Sequence, residues 1–433
     1  MNIPDQTALP VATDIAESCN RDCRLAFTDR ERLRHELEEI GGLPAGLLAA
    51  RPHLFSDTAV FVARRDLRRM AALVAAVDAV VATPGYRAAA LARAPAIAAH
   101  DPGSPGAFVS YDFHLSADGP RLIEINTNAG GALLGAALAR AQDRCCPGMG
   151  VPATSLDRAE DTVYSMIEAE WRRRNGGRPL KTVAIVDDDP PRQYLYPEFL
   201  LFERLFRERG LRAVIADAAE LRVAEGGLRH GGERIDLVYN RLVDFSLAES
   251  GHAALRTAYL EDLAVVTPHP RAHALYADKR NLILLGDGER LRDWGVGQDE
   301  IDVLATAIPT TEPVCPEQAD ALWRRRDRLF FKPATGYGSR AAYRGDKLTR
   351  RVWGEILAGN YVAQSLVPPP ERRLRVGGAE AALKFDLRAF AYAGRVQMLV
   401  ARLYQGQTTN FKTPGGGLAA VFVTGEGAGI PGE

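Results

Sequence analysis

The chain has 433 residues, 46% of them hydrophobic and 25% charged, with a formal net charge of −1. That length exceeds what one core can organise, so two or three packed units are expected. The near-neutral charge gives no general pull toward nucleic acid or an anionic membrane, so any anionic ligand has to be held by local basic groups.

The first residues, MNIPDQTALPVATDIAES, show no basic start followed by an apolar core, and the most apolar stretch, residues 70–98, is broken by Asp78, Pro84, Gly85 and several arginines. Neither a leader nor a spanning helix is expected, and a cytoplasmic protein is. Five cysteines, Cys19, Cys23, Cys145, Cys146 and Cys315, are an odd number in a large chain, which argues against a disulfide framework. No Cys or His pair follows Cys19 and Cys23 at zinc-site spacing.

Residues 1–104 read as a helical region, because LRRMAALVAAVDAVV repeats apolar positions three and four apart. Within residues 105–178 stands YDFHLSADGPRLIEINTNAGG, two short strands around an ADGP turn and then a glycine-rich loop. A helix follows and stops at NGGRP. Residues 179–272 alternate KTVAIVDDD, PEFLLFERLFRERG and LRAVIAD, with IDLVYNRL and DLAVVTP beyond, as in a parallel α/β unit. Residues 273–433 hold RLFFKPATGYGS, NYVAQSLVPPP, KFDLRAFAYAGRVQMLVARLYQG and NFKTPGGGLAAVFV, an antiparallel series. The fold class is thus α/β, of the α+β kind, with parallel and antiparallel sheets in separate units.

Four constellations carry chemistry. Glu124 and Asn126 are two apart on one strand and share a face, with Asp112 on the neighbouring strand. Three oxygen donors suit Mg²⁺, although the solvated face of an ordinary hairpin has the same pattern. Lys332 ends an apolar run and precedes TGYGS, whose backbone N–H groups can face phosphate; a solvated lysine beside a plain turn is the other reading. It is expected to be an exposed loop lysine that supports no core. Asp386 and Arg388 alternate on a strand, giving either a rigid phosphate clamp or an edge ion pair. Asn410, Lys412 and the glycines 415–417 form a basic, glycine-rich closure that implies close backbone approach to a ligand, or a mobile lid. The histidines are scattered, and His114 reads as a surface residue.

In this order the segments from about residue 105 to 425 resemble the ATP-grasp superfamily, and their rotation along the chain resembles the circularly permuted arrangement of eukaryotic glutathione synthetase. The resemblance implies a permuted ATP-grasp fold with a helical N-terminal region, a parallel α/β substrate domain (179–272) and an antiparallel lid within 273–433. It implies ATP and Mg²⁺ as cofactors, with Asp112, Glu124 and Asn126 on the metal. Lys279 in ADKRNLILL, Lys332, Gly336, Gly338 and Ser339 are implied at the phosphates, backbone near Ala363 and Gln364 at adenine, and Gly416 in the closing loop. Arg388, Lys332, Asn410 and Lys412 are the implied catalytic groups, and Arg241 in IDLVYNRL the grip on the acceptor carboxylate.

The expected activity is ADP-forming ligation of a carboxylate to an amine through an acyl phosphate, on an amino acid or small peptide, with small-molecule partners and no nucleic acid or membrane. Ligation to a polyamine, as in glutathionylspermidine synthetase, and a non-catalytic nucleotide-binding role are the alternatives; a homodimer stays open. Two departures bear on substrate. The glycine loop has Gly336 and no carboxylate, and Ser110 and Tyr111 precede Asp112 where glutathione synthetase has an arginine. The resemblance therefore does not carry over glutathione as product.

Overall fold

The computed structural model describes residues 15–22, 30–145, 151–336, 341–376 and 379–424. Helices α1 (Ile15–Asp22) and α2 (Arg30–Gly41) lead to strand β1 (Val60–Ala63), then α3 (Arg64–Ala82) and α4 (Pro84–Leu91). The opening region is therefore not wholly helical. β1 pairs in parallel with the last strand of the chain, Val60 opposite Val421, a contact that no local pattern announces.

The hairpin is β2 (Val109–Ser116) and β3 (Gly119–Asn126), followed by α5 (Ala132–Cys145), the short β4 (Val151–Pro152) and α6 (Leu156–Asn175). The α/β unit has β5 (Thr182–Asp187), α7 (Tyr196–Glu208), β6 (Arg212–Asp217), a small antiparallel meander of β7 (Arg222–Ala224), β8 (Gly227–His230) and β9 (Glu233–Ile235), then β10 (Leu237–Asn240), α8 (Ala253–Leu260) and β11 (Val265–Thr267). Its parallel sheet runs β11-β10-β5-β6. Every residue of β5, β10 and β11 is buried, because helices cover both faces and the strands must be apolar throughout.

A four-stranded antiparallel sheet follows, in the order β12 (Thr311–Pro313), β15 (Tyr361–Ser365), β13 (Leu329–Pro333) and β14 (Tyr343–Arg344). The helix Arg350–Ala358 buries Trp353 and Ile356 against Leu329, Phe331 and Ala363 of this sheet. The remaining strands are β16 (Glu371–Val376), β17 (Ala379–Tyr392), β18 (Arg395–Tyr404), β19 (Gly417–Ala419) and β20 (Val421–Thr424). They bring the C-terminal part of the chain back onto the hairpin, in the order β19-β18-β17-β2-β3, with β16 also on β17. The long β17 pairs with β16 along its first half and with β2 along its second. Among the described residues no helix is long and apolar enough to cross a membrane.

Candidate active site

Side chains alternate across a strand; one face of the central antiparallel sheet is apolar throughout, while the other packs against α5 only at Phe390, Met398 and Val400. Tyr111, Phe113, Phe385, Leu387, Ala401 and Leu403 enter a core with α3. The intervening residues Asp112, His114, Lys384, Asp386, Arg388, Arg402 and Tyr404 turn instead into a cavity of about 1030 Å³, shared with Glu124 and Asn126. The cavity is bounded on the far side by Lys332 and Gln364 of the β12-β15-β13-β14 sheet, and at one end by Asp187 and Arg241 of the α/β unit.

Register fixes the ion pairs on this face. Arg388 lies directly across from Asp112, and Arg402 from Asp386. Arg388 Nε and Nη2 donate to the two Asp112 oxygens at 2.8 and 2.7 Å. Arg402 donates to Asp386 at 2.7 and 2.9 Å, and its Nη2 also reaches Asp112 at 2.8 Å. Thr409 ties the following loop to Asp386. Burial alone would raise the Asp112 pKa, but the two guanidiniums hold it well below the usual carboxylate range.

Asn126 Nδ2 donates to Asp112 at 3.2 Å and to Glu124 at 3.4 Å, so the three sequence-predicted metal donors do converge. They are not equivalent. Asp112 already accepts four hydrogen bonds, three from arginines and one from Asn126, which fills the lone pairs of a carboxylate. As an open metal ligand Asp112 is therefore corrected to an arginine partner, and Glu124 with Asn126 is left as the hard-oxygen pair. Arg402, which was not expected at the site, bridges its two carboxylates, Asp112 and Asp386. The only sign of it in the sequence is a lone arginine two residues from Tyr404 in the apolar run VQMLVARLY.

Lys332 is not an exposed loop residue. It sits within β13 at 5% exposure, and Nζ donates to Ile123 O and to Gln364 Oε1, both at 2.8 Å. Burial lowers its pKa to about 8, against the pull of Glu124 and aided by Lys279. Lys279 Nζ donates to Gly336 O at 3.3 Å, and Gly336, with a φ of +147°, also lines the cavity. Gly338 and Ser339 lie outside the described residues.

Ala363 is fully buried with β12 on one side and β13 on the other, so it is no part of the cavity wall. Gln364 reaches the cavity, with its side chain on Lys332. Both positions pair in the ladder; the residues after them line the cavity from Ser365 to Pro369, with the N–H groups of Ser365 and Leu366 donated to Thr310 O and Arg328 O.

The closing loop also differs from expectation. Asn410 lines the cavity, but its amide serves its own loop, donating to Gln405 O and Thr408 O and accepting from Lys412 N and Thr413 Oγ1. Lys412 is exposed at the cavity edge. Gly416 faces protein rather than ligand, since a Cβ there would stand 2.6 Å from Leu403 O. Gly417, with a φ of +112°, likewise leaves no room, a Cβ meeting His53 O at 2.5 Å.

Arg241, just past the end of β10, is 6% exposed. Its Nη1 donates to Asn128 O at 2.8 Å, Ala129 O at 3.1 Å and Tyr239 Oη at 3.3 Å, while the buried Nε has no partner. Glu198 of α7 lies beside it and accepts from Gly131 N and Leu133 N at the start of α5, satisfying N–H groups that a helix start leaves over. Asp187, at the end of β5, faces the same part of the cavity; burial pushes its pKa up to about 7, against the pull of Arg241. Tyr194 and Phe411, with ring centroids 5.5 Å apart, meet across this end.

The chain is similar in fold to a glutathione synthetase-like effector from Globodera pallida in its apo form, with a TM-score of 0.55 and 10% identity over 92% of this chain and 98% of that one. Weaker likenesses are to a candidate gamma-glutamylcysteine synthetase from Methylobacillus flagellatus (TM-score 0.44, 12% identity, 72% of this chain and 79% of that one) and to D-alanyl-alanine synthetase A from Vibrio cholerae (TM-score 0.31, 12% identity, 55% and 91%). No protein-family model matches the sequence, and no curated protein does. At these identities the likeness is one of fold.

Proposed function

We propose that this chain, which has the ATP-grasp fold, binds ATP with Mg²⁺ in the central cavity and ligates a carboxylate to an amine through an acyl phosphate. The observation that carries the reading is the sheet face itself. Arg388, Arg402, Lys332 and Lys279 share one cavity with Glu124 and Asn126; Asp112 and Asp386 neutralise the two arginines, which leaves two lysines facing one carboxylate and one amide. That combination suits a polyphosphate and its metal and has no use on a solvated surface.

The donor set fits Mg²⁺, a hard cation that takes few protein oxygens and fills its other positions with phosphate and water. Glu124 and the Asn126 amide would hold it, and when bound it supplies charge neutralisation to the phosphates. This chain's own residues do the rest. Lys332 has one N–H left after its two hydrogen bonds, and with Lys279 it would bind phosphate oxygens. The Arg388–Asp112–Arg402–Asp386 chain keeps two guanidiniums fixed beside the place where charge builds during transfer, so little reorganisation is needed.

At the other end Arg241 would orient the acceptor carboxylate and Asp187 its amino group, which favours an amino acid or small peptide over a polyamine. The carboxylate oxygen attacks the γ-phosphorus and ADP leaves. The amine then attacks the acyl carbon, losing a proton as phosphate departs. The test is ADP release with a panel of amino acids and dipeptides. Release that requires both a carboxylate and an amine supports ligation, and nucleotide binding with no release across the panel points to the non-catalytic reading.

A further inference from the structure

We propose that His114 reads the nucleotide base, its Nε2 accepting a hydrogen bond from the 6-amino group of adenine and turning away a base that carries a carbonyl oxygen there. The inference rests on the nucleotide reading above. The first ground is the tautomer. His114 Nδ1 lies 2.8 Å from Val367 O, and a carbonyl oxygen only accepts, so Nδ1 carries the proton. In a neutral imidazole the lone pair is then on Nε2. Burial favours the neutral ring, with Lys332 and Arg402 adding to that effect and Asp386 and the Val367 hydrogen bond opposing it.

The second ground is position. His114 is two residues from Asp112 on the cavity face of β2, on the side away from Asn126, which pairs with Ser110. Arg388 lies at the level of Asp112, while Arg402, across from Asp386, stands one step nearer His114 and reaches back to Asp112; His114 itself is tied to the Val367 backbone just beyond the end of β15. Ile123, Leu366, Val367 and Pro368 line the cavity there, and such a set suits a flat ring better than a charged group. Val367 O spends one of its two lone pairs on His114, and the imidazole Nε2 presents a further acceptor beside it. Guanine or hypoxanthine would bring an oxygen against that lone pair, and a buried site that loses a hydrogen bond discriminates strongly.

The experiment is calorimetric titration of the full chain with ATP, inosine triphosphate and GTP, with Mg²⁺ present and no acceptor. The wild type should bind ATP about tenfold or more tightly than inosine triphosphate, a comparison that needs no variant. His114→Asn keeps a donor near the Nδ1 position and removes Nε2, so ATP affinity should fall toward the inosine value while inosine triphosphate binding is unchanged. His114→Gln carries an amide oxygen to the Nε2 position and should retain most of the preference. Equal wild-type affinity for ATP and inosine triphosphate overturns the inference, as does an Asn variant that weakens all three equally. Binding of no triphosphate at all removes the nucleotide reading itself, whereas ATP bound without preference removes the role of His114 alone.

Discussion

The two sheets that meet at the cavity carry their polar groups in different places. In the antiparallel β18-β17-β2-β3 sheet they lie along a face, every second residue, beyond the point where Phe390, Met398 and Val400 of that face pack against α5. In the parallel β11-β10-β5-β6 sheet both faces are covered, and the polar groups are pushed to the strand ends, Asp187 on β5 and Arg241 just past β10. The first arrangement is rigid and internally paired, since each arginine has a carboxylate across the ladder. The second leaves capacity unspent, in a buried Nε without a partner and a carboxyl close to neutral. The face is thus built to hold charge still, and the ends to receive it from a ligand.

That contrast can be broken in order of expected effect. Arg402→Ala should be the most damaging, because it strips a shared partner from two buried carboxylates, Asp112 and Asp386. Urea denaturation should show a loss of about 3–5 kcal/mol, as for other broken buried pairs; a loss below about 1 kcal/mol would mean that the face is solvated after all. Glu124→Gln should leave the fold intact by circular dichroism and lower the rate of ADP release roughly 10²–10³-fold. An unchanged rate at limiting Mg²⁺ would take Glu124 off the metal.

Arg241→Ala should act on the other region alone. The acceptor KM should rise about tenfold or more, the worth of a lost charge-assisted contact, while ATP affinity stays within experimental error. Loss of ATP binding instead would merge the two regions into one. The smallest effect is a pH dependence at Lys332. Its pKa of about 8 in the folded chain lies below the ordinary 10.5. The unfolded chain therefore binds more protons between these values, and this residue's contribution to stability rises with pH across that window, with the burial cost present in full below it. Relative to Lys332→Met, the wild type should gain stability from about pH 8 to 10 in thermal melts, and its nucleotide affinity should fall over the same range. A flat difference would place the ammonium in water.

How much of this the sequence disclosed follows from the same contrast. Alternation on a face is local, so Glu124 with Asn126 and Asp386 with Arg388 are visible as i, i+2 pairs, whereas His114, two on from Asp112, reads as a surface residue and lines the cavity. What those residues do was less visible, because it depends on register between strands far apart in the chain. Asp112 looked like a metal ligand until β17 laid Arg388 across from it and Arg402 from β18 took its remaining capacity. Lys332 looked exposed because it precedes a glycine loop, and Gln364 and Ile123 O, which make its burial tolerable, come from elsewhere. The glycines 415–417 suggest a close approach to a ligand, but Gly416 and Gly417 approach protein instead, Gly417 meeting His53 and Leu54 of the N-terminal region. β1 escaped for the same reason, its partner β20 being at the far end of the chain.

The central claim is that the cavity turns a carboxylate into an acyl phosphate at the expense of ATP. It is tested most directly by incubating the protein with ATP, Mg²⁺, a panel of amino acids and dipeptides, and hydroxylamine, and measuring hydroxamate and ADP together. The account predicts carboxylate-dependent hydroxamate in step with ADP, and neither product above background with Glu124→Gln. ADP without hydroxamate from any carboxylate, or equal yields from wild type and Glu124→Gln, would contradict it.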